Sequence, residues 1–303
     1  MEYNASALNE MFLQKINTPD GIEKAAQEGA AFIRQKLREV SFARKVIQPQ
    51  FVTRPELQRS VNHEGLVKIV DIEPDSKAMV VTFRGNPDGQ YIEGPRYEIP
   101  FFMISSPDFQ KTESELRAYG YPITEIMERN SVLDIHKVED EQFLKHVNAA
   151  IDIEVNLGNT YKSITGSYDT DGTIKRKDLK DLFDALDGDK LRCEYILMDS
   201  TMFNRLLLYS AADLGDTFQS DVTLNGFTYS AFLGRKLIVS NKKDLLDNTI
   251  YAFTTQDFFG QFLILEDTKF WIEKKKNIIT FAAYEEIGMG IGNTRACAKL
   301  TLS

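Results

Sequence analysis

The order of its periodicities constrains this chain most. Apolar residues recur at helical spacing over 107–151, 177–187 and 200–209, whereas everything from Leu237 onward reads as strands, at 237–240, 249–253, 262–265, 269–273, 277–284 and 296–302. A doubly wound sheet needs strands and helices in regular alternation, and that alternation is missing. The sequence therefore predicts an α+β fold with antiparallel strands.

Two features of the first hundred residues point outward from the subunit. Ile22, Ala26, Gly29, Ile33, Leu37 and Val40 make one helical stripe over 22–45, which Gln48-Pro49 ends. Residues 31–60 hold seven cations (Arg34, Lys36, Arg38, Arg44, Lys45, Arg54, Arg59) against two anions, a local +5, inside a chain with 36 Lys+Arg, 45 Asp+Glu and a net charge of −9. Such a segment suits docking on an acidic neighbour or binding nucleic acid, and the acidity of the whole chain favours docking. Next, 66–72 and 79–83 are β-rich and separated by Glu73-Pro74-Asp75-Ser76. A second turn, Asn86-Pro87-Asp88-Gly89, precedes the run 97–104. This long charged hairpin has little apolar surface of its own and needs another surface to lie on.

Within 107–151 the helical pattern comes in pieces: Leu116 and Tyr119, then Ile123, Ile126 and Met127, then Phe143, Val147, Ala150 and Ile151. Glu139-Asp140-Glu141 suits the first turn of the last piece, where carboxylates meet the positive end of the helix dipole. Leu179, Leu182, Phe183 and Leu186 line one face of a further helix, and Ser200 or Thr201 is expected to cap one that buries Phe203, Leu206 and Leu207. Residues 211–234 read as a long loop.

Chemistry-bearing motifs are few. Ser167-Tyr168-Asp169-Thr170-Asp171-Gly172-Thr173-Ile174, followed by Asp178, has the spacing of an EF-hand calcium loop, with Asp169, Asp171 and Asp178 as its carboxylates. The first position is Ser, the last is Asp in place of the longer Glu, and no helix enters, so a polar turn is expected there and no calcium site. Gly288-Met289-Gly290-Ile291-Gly292 leads into a strand, so it lacks the helix N-terminus a phosphate loop needs and is expected to be a flexible turn. His63, His136 and His146 share no helix face and read as surface or core-edge residues. Cys193 and Cys297 have no CxxC spacing and read as reduced strand residues. No stretch reaches the roughly 20 apolar residues of a membrane span. Nothing here assembles a catalytic site, and no cofactor is expected.

The element order resembles the tailed-bacteriophage major capsid protein of the Hong Kong 97 type. Residues 195–203 (YILMDSTMF) are similar to that family's strand leading into a capped helix, 233–240 (LGRKLIVS) to its glycine-led strand and 258–264 to its next strand. Residues 277–286 (NIITFAAYEE) and 296–300 (ACAKL) are similar to its long peripheral strand and return. The resemblance implies an N-terminal arm (1–60), an extended hairpin called the E-loop (61–104), a peripheral domain with a spine helix (105–151 and 276–294), and an axial domain (152–275 and 295–303).

It further implies a non-enzymatic shell subunit, assembled in the host bacterial cytoplasm into pentamers and hexamers of a virion that encloses double-stranded DNA without sequence specificity. Separate scaffold, portal and cementing proteins would be its partners, with no membrane involved. An encapsulin-like compartment shares the fold, and a calcium-binding module is the reading from another class. Arg34, Arg38, Arg44, Lys68, Lys77 and Arg84 are the expected intersubunit contacts. Some family members join an E-loop lysine to a peripheral-domain asparagine with the help of a glutamate. Lys68 or Lys77, Asn277 and Glu285 or Glu286 are the matching residues here, but the glutamates are displaced from the family spacing, so noncovalent assembly is expected.

Overall fold

The computed structural model describes residues 41–59, 65–74, 80, 94–118, 123–206, 208–209 and 231–303. Arg34, Arg38, Lys77, Arg84 and His63, most of the 22–45 stripe, and nearly all of 79–83 and of the loop 211–234 lie outside the described residues.

One sheet has seven strands: β1 (Gln50–Phe51), β2 (Gln58–Arg59), β3 (Leu66–Asp71), β4 (Arg96–Ser105), β5 (Phe109–Thr112), β11 (Gly260–Lys275) and β12 (Ile278–Ile291). Their order is β1-β11-β12-β4-β3-β2, with β5 also paired to β12. The other has six: β6 (Ser163–Gly166), β7 (Tyr195–Asp199), β8 (Ala231–Phe232), β9 (Arg235–Ser240), β10 (Thr249–Phe253) and β13 (Cys297–Leu302), in the order β6-β13-β10-β7-β9-β8. Gly260–Lys275 pairs with Ile278–Ile291 in the seven-stranded sheet, apart from the strands of 163–253.

Helices beside the sheets include α1 (Ala43–Val46), α2 (Glu113–Ala118), α3 (Ile123–Asn156) and α4 (Arg176–Asp187). Helix α3 has 34 residues, about 51 Å at ~1.5 Å per residue. It absorbs Glu139-Asp140-Glu141, which lie mid-helix and begin nothing. Its buried residues Ile135, His136, Glu139, Asp140, Phe143, Leu144, Val147, Ala150, Ile151 and Glu154 repeat at three and four, one stripe in which acids replace apolar residues. That substitution made the stripe read as separate short helices. His136, fully buried, is thus an interior residue. The stripe packs on the inward face of the seven-stranded sheet, onto Phe270, Ile272, Ile279, Phe281, Ala283 and Ile287.

The six-stranded sheet has apolar contacts on both faces. Along β10, Ile250 and Ala252 face α4 and its core (Leu179, Leu182, Leu186), while Tyr251 and Phe253 face the α3 core. A short helix, α5 (Ser200–Leu206), adds Met202, Phe203 and Leu206 to the α4 side. Its cap is Asp199, whose carboxylate accepts from the Met202 N–H at 2.6 Å and from the Thr201 hydroxyl, so neither Ser200 nor Thr201 caps it.

Three further expectations change. Residues 109–112 form β5 within the stretch read as helical, because their partner is the distant segment 278–281. The runs 262–265 and 269–273 join in one 16-residue strand with register shifts between Ile264 and Lys269. Gly288–Gly292 is no flexible turn: Gly288 and Gly290 lie inside β12, where β4 crosses so closely that a Cβ on Gly290 would sit 2.6 Å from Ile99 Cγ1. Ile99 is fully buried, so it has little room to withdraw. Gly290→Ala is expected to lower stability by about 1–3 kcal/mol through overpacking, measured as a shift of the urea midpoint at constant slope.

Candidate functional site

Five charged side chains from four distant parts of the chain meet between α3 and the seven-stranded sheet. The local rules that place them are simple. Glu139 and Asp140 occupy the buried stripe of α3. Glu285 follows Phe281 and Ala283 and precedes Ile287 and Met289 on the alternating inward positions of β12, so the pleat turns it into the core. Arg44 lies on the one-turn helix α1, and Lys242 comes just after β9.

Arg44 is the hub. Its Nε lies 3.0 and 3.2 Å from the two carboxylate oxygens of Glu139, and its terminal nitrogen is 2.5 Å from Glu285 Oε1. The Phe262 ring lies under the guanidinium, 5.3 Å from its centroid. Ser41 Oγ is 2.7 Å from Glu139 and 2.9 Å from Asp140, and the Ala43 N–H donates to Asp140 at 3.1 Å. Lys242 Nζ closes the other side, 2.5 Å from Asp140 and 3.1 Å from the His136 carbonyl oxygen. Thr268 donates its hydroxyl to Glu285 at 3.0 Å.

Burial pushes the carboxyl groups of Glu139, Asp140 and Glu285 above the ordinary range, Glu285 to about 7, against the pull of Arg44 and Lys242. Burial also works against the charge of Arg44, but the flanking Glu139 and Glu285 outweigh it and hold its pKa above the ordinary value. Glu139, Asp140 and Glu285 are wholly enclosed, so the cluster has no mouth for a substrate. Its action is mechanical: it clamps the 41–47 segment to helix and sheet at once.

Arg44, expected as an intersubunit contact, is therefore interior, 7% exposed and committed to its own subunit. Glu285, expected beside Asn277, lies seven residues along β12 from Ile278, the residue after Asn277, about 23 Å at ~3.3 Å per residue, and is bonded to Arg44. Asn277 lies in the two-residue turn joining β11 to β12, with its carbonyl oxygen accepting from the Glu113 N–H at 3.0 Å. Glu286 faces the opposite side of the sheet across from Met103 and Glu266. Lys68 stands partly exposed on β3, 3.5 Å from Glu56. Lysine, asparagine and glutamate are thus not brought together among the described residues.

The EF-hand-like segment is a turn closed by pairing of Tyr168 with Ile174. Asp171 accepts from the Thr173 N–H and hydroxyl at 3.1 and 2.6 Å, and Asp178 accepts from the Ser167 N–H at 3.1 Å. Lys175 Nζ sits 2.7 Å from Ser167 Oγ, placing a cation beside the first would-be ligand. Among the described residues no three His, Cys, Asp or Glu are grouped as a metal requires. An open groove of about 570 Å³ between β3, β4 and the start of β11 is lined by Asp71, Glu73, Tyr97, Asp257 and Phe258 among others, with no Ser, Thr, Cys, His or Lys among the described residues of its walls. Cys193, two residues before β7, and Cys297 are buried, and burial pushes both thiols up to about 12, away from reactivity. No described helix is long and apolar enough to cross a membrane.

Glu139, Asp140, Lys242, Ser41 and Thr268 were missed by sequence reasoning. For the two helix acids a signal existed, since they fall four residues from Ile135 and His136 and four from Phe143 and Leu144. Nothing in the sequence marks Lys242.

Removing Arg44 would strand two enclosed carboxylates. Arg44→Ala is expected to cost about 3–5 kcal/mol in urea unfolding, and Arg44→Met combined with Glu139→Leu and Glu285→Leu to cost markedly less, because no charge then stays unpaired. Equal losses in the two variants would show that the cluster holds by shape alone.

No family model matches this chain, and no curated protein matches it. Solved structures do. A structure from Microbacterium phage Oxtober96 aligns with a TM-score of 0.62 at 12% identity, covering 87% of this chain and 91% of that one. The bacteriophage PhiM1 mature capsid aligns at 0.55 with 9% identity over 87% of both chains. The capsid of a native GTA particle aligns at 0.55 with 12% identity, over 86% of this chain and 89% of that one. Such identities carry the fold, and the fold they carry, with a long helix laid on a long β-ladder beside a second mixed sheet, is the Hong Kong 97-type fold of phage capsids.

Proposed function

We propose that this chain is the major capsid protein of a tailed phage, a structural subunit whose copies form the pentamers and hexamers of an icosahedral shell around double-stranded DNA. The supporting observation is the end-to-end likeness to capsid subunits, 87% of this chain against 87% of the PhiM1 chain, which leaves no large part of the fold for another role. The peripheral domain is the seven-stranded sheet with α3, and the axial domain is the six-stranded sheet with α4 and α5. Scaffold, portal and cementing proteins are its partners, the virion its location and the host cytoplasm its place of assembly.

Charge fits this reading. A shell at −9 per subunit repels phosphate, so DNA slides along its wall and is not held by counterion release at many points. The hairpin fits too. At its base, β3 pairs with β4 through Val67–Pro100 to Asp71–Arg96, and β4 then continues into β12 through Phe101 to Ser105. Among the described residues of the hairpin, Ile99 and Val67 at its base are buried. The rest adds little to the subunit and serves contacts between subunits.

Electron microscopy of the purified protein tests the proposal: closed shells are expected, and a monodisperse monomer under all assembly conditions would refute it. Shells filled with enzyme cargo and never with DNA would mark a compartment of the encapsulin kind. Replacing residues 73–93 by a short Gly-Ser turn is expected to leave the melting temperature of the unassembled subunit nearly unchanged and to abolish closed particles. A collapsed melting temperature would place the hairpin in the core. With Arg44 interior, Arg34 and Arg38 are the arm's remaining arginines in the expected contact set. Their joint reversal to Glu should impair assembly at normal salt without unfolding the subunit, since like charges facing across an interface cost several kcal/mol.

A further inference from the structure

The buried cluster is unbalanced in charge. Glu139 and Asp140 of α3 and Glu285 of β12 present three enclosed carboxylates, whereas α1 offers Arg44 and the segment after β9 offers Lys242. Asp267, in the irregular part of β11, adds to the negative field on Glu285, and Thr268 beside it brings only a hydroxyl. Charge neutrality in this enclosed space calls for one proton on the acids. Glu285 and Glu139 sit on either side of the guanidinium and compete for it.

The segment 41–47 forms the cover of this space. Ser41 touches both helix acids, Ala43 donates to Asp140, and Arg44 is wedged between Glu139 and Glu285. Phe42, Ala43, Val46 and Ile47 are buried beside it, so the same residues supply the apolar seal. Lifting the segment removes all these contacts together and lets water reach the acids.

We propose that the Arg44 cluster is a proton-operated latch on residues 41–47, closed while the enclosed acids hold one proton and loosened when that proton is lost. The inference concerns the subunit alone and does not depend on its forming a shell. The sign follows from linkage. Closure dehydrates Glu285 and raises its pKa from the ordinary carboxylate range to about 7, so closing takes up a proton and is favoured below that value. Raising the pH from the ordinary carboxylate range to about 7 therefore weakens closure, and above 7, where the acid is ionised whether the segment is open or closed, pH has no further effect. Arg44 acts in the opposite sense by stabilising ionised acids, but burial is the larger influence on Glu285.

Hydrogen exchange on the full chain tests this. The amides of Ala43, Lys45, Val46 and Ile47 all donate in the closed state, to Asp140 or to the carbonyl oxygens of Phe42 and Ala43. Their protection, corrected for intrinsic exchange, is expected to fall as the pH rises from the ordinary carboxylate range to about 7, by at most about tenfold per pH unit for a single proton, and to level off above about pH 7. Glu285→Gln, uncharged throughout, should abolish that fall. Protection that stays flat in the natural sequence, that rises with pH, or that keeps its pH dependence in Glu285→Gln would each overturn the latch. Should Glu285→Gln not fold, the profile of the natural sequence still decides, and Glu139→Gln supplies the second comparison.

Discussion

A 34-residue helix buried along one stripe must be faced by something of similar length, and that requirement organises this molecule. The β11–β12 ladder meets it: 16 residues of β11 extend about 53 Å, against about 51 Å for α3. Segments far apart in sequence are recruited to finish the same surface, β4 and β5 along β12 and the 41–51 segment at the other side. In a seam this long, apolar packing alone leaves sliding by one helical turn poorly penalised. The Arg44 cluster supplies a fixed point, because an ion pair displaced by one turn would leave enclosed charges unpaired.

The second constraint is the shared wall. Because β10 and its neighbours send alternate residues into two cores, the sheet cannot shift against α3 without also disturbing α4. The two halves of the chain thus behave as one packed body at this wall, although each carries its own sheet. The end-to-end likeness to capsid subunits has its physical basis here. At 9–12% identity few side chains are shared, yet burial on both faces of β10 and one long helix–ladder seam leave little choice of arrangement.

Sequence legibility followed how local each signal was. Thr249–Phe253 was readable as it stands, since an apolar run buried on both faces needs no partner to be recognised, and α4 was readable from its apolar face. Residues 109–112 were not, because only pairing with 278–281 makes them a strand. Gly288 and Gly290 looked like turn residues because their purpose, making room for Ile99 and Phe101, lies about 190 positions away in the chain. The ionic cluster was nearly invisible: Ser41 and Glu139 are 98 residues apart and Arg44 and Glu285 are 241 apart, so only the fold brings them together. Glu285 gave a partial clue, its place in the alternation Phe281, Ala283, Ile287.

The far edge of the seven-stranded sheet is charged along much of its length. Among the described residues, the far edge of β11 pairs only with β1, at Leu263 and Ile264. Beyond that point it carries Lys269, Glu273, Lys274 and Lys275 beside a half-exposed Trp271. Charges spaced along an open edge disfavour joining to a second open edge, because like charges would meet directly opposite one another. With Arg44 inside and Lys269, Lys274 and Lys275 outside, the cations divide their roles. One positive charge fixes the fold, and the others stand at the sheet edge, Lys269 beside Glu266 and Lys274 beside Glu113.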